Sequence, residues 1–134
     1  MQGIFYSEFD NIAGPQIIYQ YPCNCITIEE FDSLSDYIII DKPLCHRIIT
    51  VFRPTHTILG YPVCIEDEAY DRNAFLFHIG FVVTSNVSIT RYFPILEKLG
   101  RFLQTMEKED HFLSNARTKV RKYFILNYLI FECK

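Results

Sequence analysis

The run Ala74-Phe-Leu-Phe-His-Ile-Gly-Phe-Val-Val-Thr84 decides the fold. In an extended chain, Phe75, Phe77, Ile79, Phe81 and Val83 fall on one face, and Leu76, Gly80 and Val82 on the other. Both faces are apolar, so this strand is central in its sheet and covered on both sides. A strand of that kind needs layers on both faces.

Working upstream, residues 56–65 and about 46–52 also read as strands. Residues 4–9 and 16–21 read as two more, separated by the turn residues Asp10-Asn11 and Gly14-Pro15 and ended by Pro22. A connection that short favours an antiparallel hairpin. Between the hairpin and the later strands lies a well-signalled helix. Thr27-Ile28-Glu29-Glu30 is a capping box, in which the Thr27 hydroxyl accepts from the Glu30 N–H and Glu30 reaches back. Ile26 and Phe31 are spaced as a hydrophobic staple. Phe31, Leu34, Tyr37 and Ile38 recur at helical spacing through about Ile40, and Asp41-Lys42-Pro43 ends the run.

Downstream of Ser85-Asn86 the period changes. Ile95, Leu96, Leu99, Phe102, Leu103 and Met106 form one helical stripe, with Pro94 in the first turn. The charged run 107–110, Glu-Lys-Glu-Asp, reads as a solvated helix end. A last helix is expected over 117–132, apolar nearly all round from Tyr123 to Phe131. Such a helix is either sandwiched or meets another chain. The order is β-β-α-β-β-β-α-α, an α/β (α+β) arrangement. One early helix covers one face of the sheet and two late helices cover the other.

Length and composition agree with one domain. The chain has 134 residues, 49% hydrophobic and 22% charged, which is an ordinary globular balance. A net charge of -3 argues against a general nucleic-acid binder, which needs a basic face for phosphates. No apolar run reaches the ~18 residues of a membrane span. The first residues, Met1-Gln-Gly-Ile-Phe-Tyr-Ser-Glu, lack the pattern of a signal peptide, and Gly3 is misplaced for myristoylation. Cys23, Cys25, Cys45, Cys64 and Cys133 are odd in number and scattered, which points to reduced thiols and a cytoplasmic setting.

Few residues offer chemistry. Nucleophile-elbow, Walker-type and dinucleotide-binding glycine motifs are all missing from the sequence. Cys23-Asn24-Cys25 with Cys45-His46 invites a zinc reading, but the spacing is short and ordinary packing of thiols explains it better. His78, inside the central strand, is a candidate base; a half-buried histidine bonded to a neighbour is the plainer reading. Asn86-Val87-Ser88 fits a glycosylation sequon, accidental in a cytosolic protein. The loop before the central strand carries Glu66, Asp67, Glu68 and Asp71 around one cation, Arg72. Local ion pairs would hold Arg72, worth only about 0–1 kcal/mol if exposed. Read from composition, Arg72 is a solvated loop residue; held out to a partner, it would meet phosphates.

Several blocks together carry a resemblance. Ile4-Phe-Tyr-Ser-Glu-Phe-Asp, Gly14-Pro-Gln-Ile-Ile-Tyr-Gln-Tyr-Pro22, Tyr37-Ile-Ile39, Lys42-Pro43 and Ile48-Ile-Thr50 resemble the nitrogen permease regulator 2-like family. Gly60-Tyr-Pro-Val-Cys-Ile-Glu66, Tyr70-Asp-Arg-Asn-Ala74, Phe77 and Gly80-Phe-Val82 match it most strongly. The blocks run from Ile4 to near Met106; the last thirty residues match only in helical character. The resemblance implies a longin-type domain: a five-stranded antiparallel sheet between one helix and two. Family members continue into helical and winged-helix regions, so residues 1–134 are expected to be the longin domain alone.

The resemblance also implies a role. The family acts in GATOR or SEACIT assemblies as a GTPase-activating complex for Rag-type GTPases, restraining TOR complex 1 when amino acids are scarce. Its direct partner is the nitrogen permease regulator 3-like paralogue, met through the longin domains. The arginine of the family's Tyr-Ser-Arg-Asn-Ala loop is an arginine finger, a role that falls here on Arg72. Tyr70, Asp71 and Asn73 would support the loop, with Asp71 standing where the family often has Ser. The chain would need no cofactor of its own, because GTP and Mg²⁺ belong to the GTPase. It would bind no nucleic acid, insert in no membrane, and reach the lysosomal or vacuolar surface through partners. Two rival classes remain at this point: a non-catalytic longin scaffold, as in vesicle trafficking, and a small-molecule or metal sensor built on Cys23, Cys25, Cys45 and His46.

Overall fold

The computed structural model describes residues 2–38, 45–85 and 88–115. Its elements are β1 (Gly3–Asp10), β2 (Gly14–Tyr21), α1 (Ile28–Ile38), β3 (Ile49–Phe52), β4 (His56–Glu66), β5 (Ala74–Thr84) and α2 (Phe93–Asp110). The five strands form one sheet in the order β2-β1-β5-β4-β3, with every neighbouring pair antiparallel. β5 is central, as its two apolar faces require. The long pairing of β4 with β5 runs from His56 opposite Thr84 to Glu66 opposite Ala74.

The two faces of β5 feed two cores. Phe77, Ile79, Phe81 and Val83 join Tyr6, Leu59, Tyr61, Val63 and the α2 residues Leu96, Leu99 and Leu103. On the other face Val82 joins Phe5, Ile58 and the α1 side residues Ile26, Phe31 and Leu34. One helix therefore covers each face, the longin-like α+β arrangement. The second late helix, expected over 117–132, lies outside the described residues. So do Asn86 and Val87 of the sequon and Cys133.

Glycines let these layers close. A side chain at Gly100 would overlap the Tyr61 ring, so α2 approaches β4 only because position 100 has none. Gly60 and Gly80 face each other across β4 and β5. A Cβ at Gly60 would overlap Nε2 of His78, and one at Gly80 would overlap the Phe5 ring. These two gaps make room for the imidazole, whose ring centroid lies 5.3 Å from that of Phe5.

His78 is therefore not the half-buried, bonded histidine that its sequence suggested. It is fully buried, and neither ring nitrogen has a hydrogen-bond partner among the described residues. Nor has the hydroxyl of Ser7, its neighbour across β1 and β5. Burial holds the His78 pKa down at about 3, so the ring is neutral at physiological pH.

Other local expectations divide. Thr27 accepts from the Glu30 N–H at 3.1 Å, forming one half of the capping box. Glu30 does not reach back; its carboxylate bonds His56 Nε2 of β4 instead. The third strand starts at Ile49 rather than near 46, because His46 takes a left-handed backbone (φ 65°) that no strand accommodates. The α2 stripe splits: Leu96, Leu99 and Leu103 are buried, while Ile95 and Phe102 are exposed. The run 107–110 is not wholly solvated. Glu107 is buried, because its helical spacing from Leu99, Gly100 and Leu103 turns it toward the sheet.

Candidate functional site

The loop between β4 and β5 is built from its own backbone. The Asp67 N–H donates to the Asn73 carbonyl at 3.0 Å, extending the ladder one step past Glu66 and Ala74. Inside that closure, Tyr70 N–H donates to the Asp67 carbonyl at 3.2 Å and Asn73 N–H to the Tyr70 carbonyl at 2.9 Å. The Asp67 side chain accepts from the Ala69 N–H at 2.9 Å, an Asx-type turn. Ala74 N–H donates to the Asp71 carbonyl. Asp67 thus organises the loop, a role the sequence did not single out.

This closure forces an uncommon backbone. Arg72 has φ 57° and ψ 20°, and Asn73 follows with φ 61°. Asparagine tolerates that region; an arginine there costs about 1–2 kcal/mol relative to right-handed backbone. The closure leaves Arg72 exposed, one residue before the Asn73 that closes the loop, and among the described residues no ion pair holds its guanidinium. The expected local pairs with Asp71 and the acidic loop are thus not formed. Asp71 and Asn73 are also exposed, and both act through backbone groups.

Tyr70 fixes the base of the loop. Its ring stacks on Phe75 at a centroid distance of 5.4 Å and meets His111 edge-on at 5.8 Å. Its hydroxyl donates to Glu107 Oε1 of α2 at 2.8 Å. Burial, and then the Glu107 carboxylate, push the Tyr70 phenol well above its ordinary pKa, so it stays a donor. Glu107 Oε2 accepts from the N–H groups of Leu113 at 2.8 Å and Ser114 at 3.1 Å.

Arg72 does not stand alone on the surface. It shares a cleft of about 610 Å³ with the tip of the β1–β2 hairpin, whose Glu8, Asp10 and Ile12 form the opposite wall, and with Ser114. Asp10 Oδ1 accepts from the N–H groups of Ile12 at 2.8 Å and Ala13 at 2.9 Å, pinning the hairpin turn. These bonds lower the Asp10 pKa. Ile12 is 99% exposed at that tip. Neither the hairpin wall nor Glu107 emerged from the sequence as part of the site. The one available signal was Glu107 itself, a carboxylate falling on an apolar helical stripe.

The other candidates are placed elsewhere. His78 is fully buried and does not line the cleft. Cys25 is half-buried, its thiol 3.7 Å from the Ile4 carbonyl, and Cys23 is exposed. Among the described residues no three of the His, Cys, Asp and Glu side chains are grouped to hold a metal, so Cys23, Cys25, Cys45 and His46 do not form such a set. No helix among the described residues is long and apolar enough to cross a membrane. Chemically, the site offers a preset guanidinium beside a partly apolar cleft.

Comparison with known proteins identifies relatives of the chain. The Nitrogen permease regulator 2 family model matches residues 1–128. The chain is 43% identical over 119 residues to the GATOR complex protein NPRL2 of Drosophila melanogaster, covering 88% of this chain and 29% of that protein. It is 26% identical over 135 residues to the Nitrogen permease regulator 2 homolog of Schizosaccharomyces pombe, covering 95% and 33%. With Nitrogen permease regulator 2 of Saccharomyces cerevisiae it shares 34% over 115 residues, covering 84% and 19%. The chain thus corresponds to a third or less of the length of these relatives. By the match over nearly its whole length, the chain belongs to the nitrogen permease regulator 2 family.

Proposed function

We propose that this chain is the longin-like part of a regulatory subunit of a GATOR- or SEACIT-type complex, and that Arg72 is an arginine finger delivered in trans to a Rag-type GTPase. The observation that carries the reading is the backbone of Arg72. A closed, hydrogen-bonded loop holds Arg72 exposed in a left-handed backbone, with no ion pair to its guanidinium among the described residues. Such strain persists only where the surroundings over-determine it, and it gathers at functional sites. Family membership and the relative named as a GATOR complex protein support the coarser part of the reading, a subunit of such a complex.

The chain itself is not an enzyme in this account. The GTPase holds GTP and Mg²⁺; the guanidinium enters beside them and stabilises charge on the transferred phosphoryl oxygens. A rigid loop suits this, since no reorganisation is needed during the reaction. The direct partner is the nitrogen permease regulator 3-like paralogue, paired through its own longin domain. The output is restraint of TOR complex 1 during amino-acid starvation, at a lysosomal or vacuolar membrane reached through partners. The test is GTP hydrolysis by a Rag-type GTPase with the assembled complex. Arg72→Ala removes most of the stimulation while assembly survives; unchanged stimulation leaves only a scaffold role.

A further inference from the structure

We propose that Glu107 is a positioning residue for Arg72, acting through Tyr70. The inference rests on the reading of Arg72 as a finger, and it adds a distant helix to the finger's support.

Glu107 is fully buried on the face of α2 that otherwise carries Leu96, Leu99 and Leu103. An apolar residue there would extend the stripe and avoid the cost of burying a carboxylate. The carboxylate instead divides its two oxygens between two segments. Oε1 takes the Tyr70 hydroxyl, and Oε2 takes the N–H groups of Leu113 and Ser114. The second contact depends on His111, whose left-handed backbone (φ 52°) ends α2 and turns the chain back. The His111 ring adds a nitrogen 3.8 Å from Oε1.

One buried side chain therefore ties the end of α2, the segment that follows it, and the Arg72 loop. Tyr70 is the link. Its carbonyl accepts the Asn73 N–H that closes the turn around Arg72, and its hydroxyl is anchored 37 residues away in sequence. Without the anchor, the backbone bonds of the loop persist but the loop as a body is free to tilt on the sheet. A misplacement of about 1 Å costs a transition-state contact on the order of 10²-fold. Ser114, bonded to the same carboxylate, also lines the Arg72 cleft. The anchor thus sets both the finger and part of the wall beside it.

The test uses the full complex with its paralogue and a Rag-type GTPase. Single-turnover GTP hydrolysis is measured against complex concentration for wild type, Tyr70→Phe, Glu107→Leu and the double variant. Arg72→Ala and the exposed neighbour Lys108→Ala run in parallel. Tyr70→Phe removes only the hydroxyl and keeps the ring on Phe75. Glu107→Leu continues the apolar stripe and leaves neither the Tyr70 hydroxyl nor the N–H groups of Leu113 and Ser114 an acceptor at this position. Both single variants should lower the maximal rate about 10- to 100-fold, with little change in half-saturating concentration. The double variant should be no worse than the worse single, since both cut one connection. Hydrogen exchange at the Ser114 amide should rise in Glu107→Leu, and Lys108→Ala should match wild type. Wild-type maximal rates in Tyr70→Phe and Glu107→Leu, with Arg72→Ala inactive, would overturn the proposal alone. Losses that multiply in the double variant would also overturn it, because Glu107 then acts by another route. Full activity of Arg72→Ala would remove the finger reading and this inference with it. If Glu107→Leu fails to assemble, Tyr70→Phe decides the matter by the same criterion.

Discussion

Acid should weaken this fold through one buried ring. His78 is neutral in the folded chain, with a pKa near 3, and about 6.5 when unfolded. The unfolded state therefore binds more protons between those limits, and stability rises with pH across that window. His78's contribution is complete above about pH 6.5 and falls as the pH drops, by about 1.4 kcal/mol per unit. At pH 5.5 the loss from this ring alone is about 1.4 kcal/mol, and at pH 4.5 about 2.7 kcal/mol. Against a typical domain stability of about 5–15 kcal/mol, that is readily measured. Asp10 also loses stability in acid, because two backbone donors lower its pKa, but it acts below its ordinary carboxylate range. The assay is urea unfolding from pH 7.5 to 4.5 on wild type and His78→Leu. Leucine fills the space beside Gly60 and Gly80 and removes two unpartnered nitrogens. It should cost less than about 1.5 kcal/mol at pH 7.5. It should also flatten the slope below pH 6.5. A wild type equally stable at pH 7 and 5, or an unchanged slope in His78→Leu, would refute the reasoning.

Two further predictions concern the layers that hold the site. Gly100→Ala drives a methyl into the Tyr61 ring and should destabilise the chain by about 1–3 kcal/mol, read as a lower urea midpoint. Thr27→Ala removes the bond to the Glu30 N–H and should cost about 1 kcal/mol; the Glu30–His56 contact should keep α1 docked, so the far-UV helical signal persists.

The layers were legible in the sequence because periodicity reports faces. The alternation through Ala74–Thr84 placed β5 at the centre, and Thr27 marked the start of α1. The Leu96–Leu103 spacing named the buried side of α2. Periodicity is silent about what meets across the chain. Nothing in the sequence joins the Asp10–Ile12 turn to Arg72, since their proximity comes from β1 pairing with β5. The left-handed backbone at Arg72 accompanies the closure between Asp67 and Asn73 and is not arginine's preference, although asparagine suits that region. Glu107 was misread because charge near a helix end usually means solvent; here its buried partners come from residues 70, 113 and 114. His78 was misread because its environment is set by two glycines on facing strands. The role proposed for Arg72 came from family resemblance, not from composition or periodicity.

The central claim is that Arg72 stabilises a transition state in another protein. It is tested most directly by the single-turnover rate of GTP hydrolysis on a Rag-type GTPase at saturating assembled complex. Wild type should exceed Arg72→Ala by on the order of 10³–10⁵, with Arg72→Lys close to the alanine variant because an ammonium lacks the planar fork. A saturating rate for Arg72→Ala equal to wild type would contradict the account.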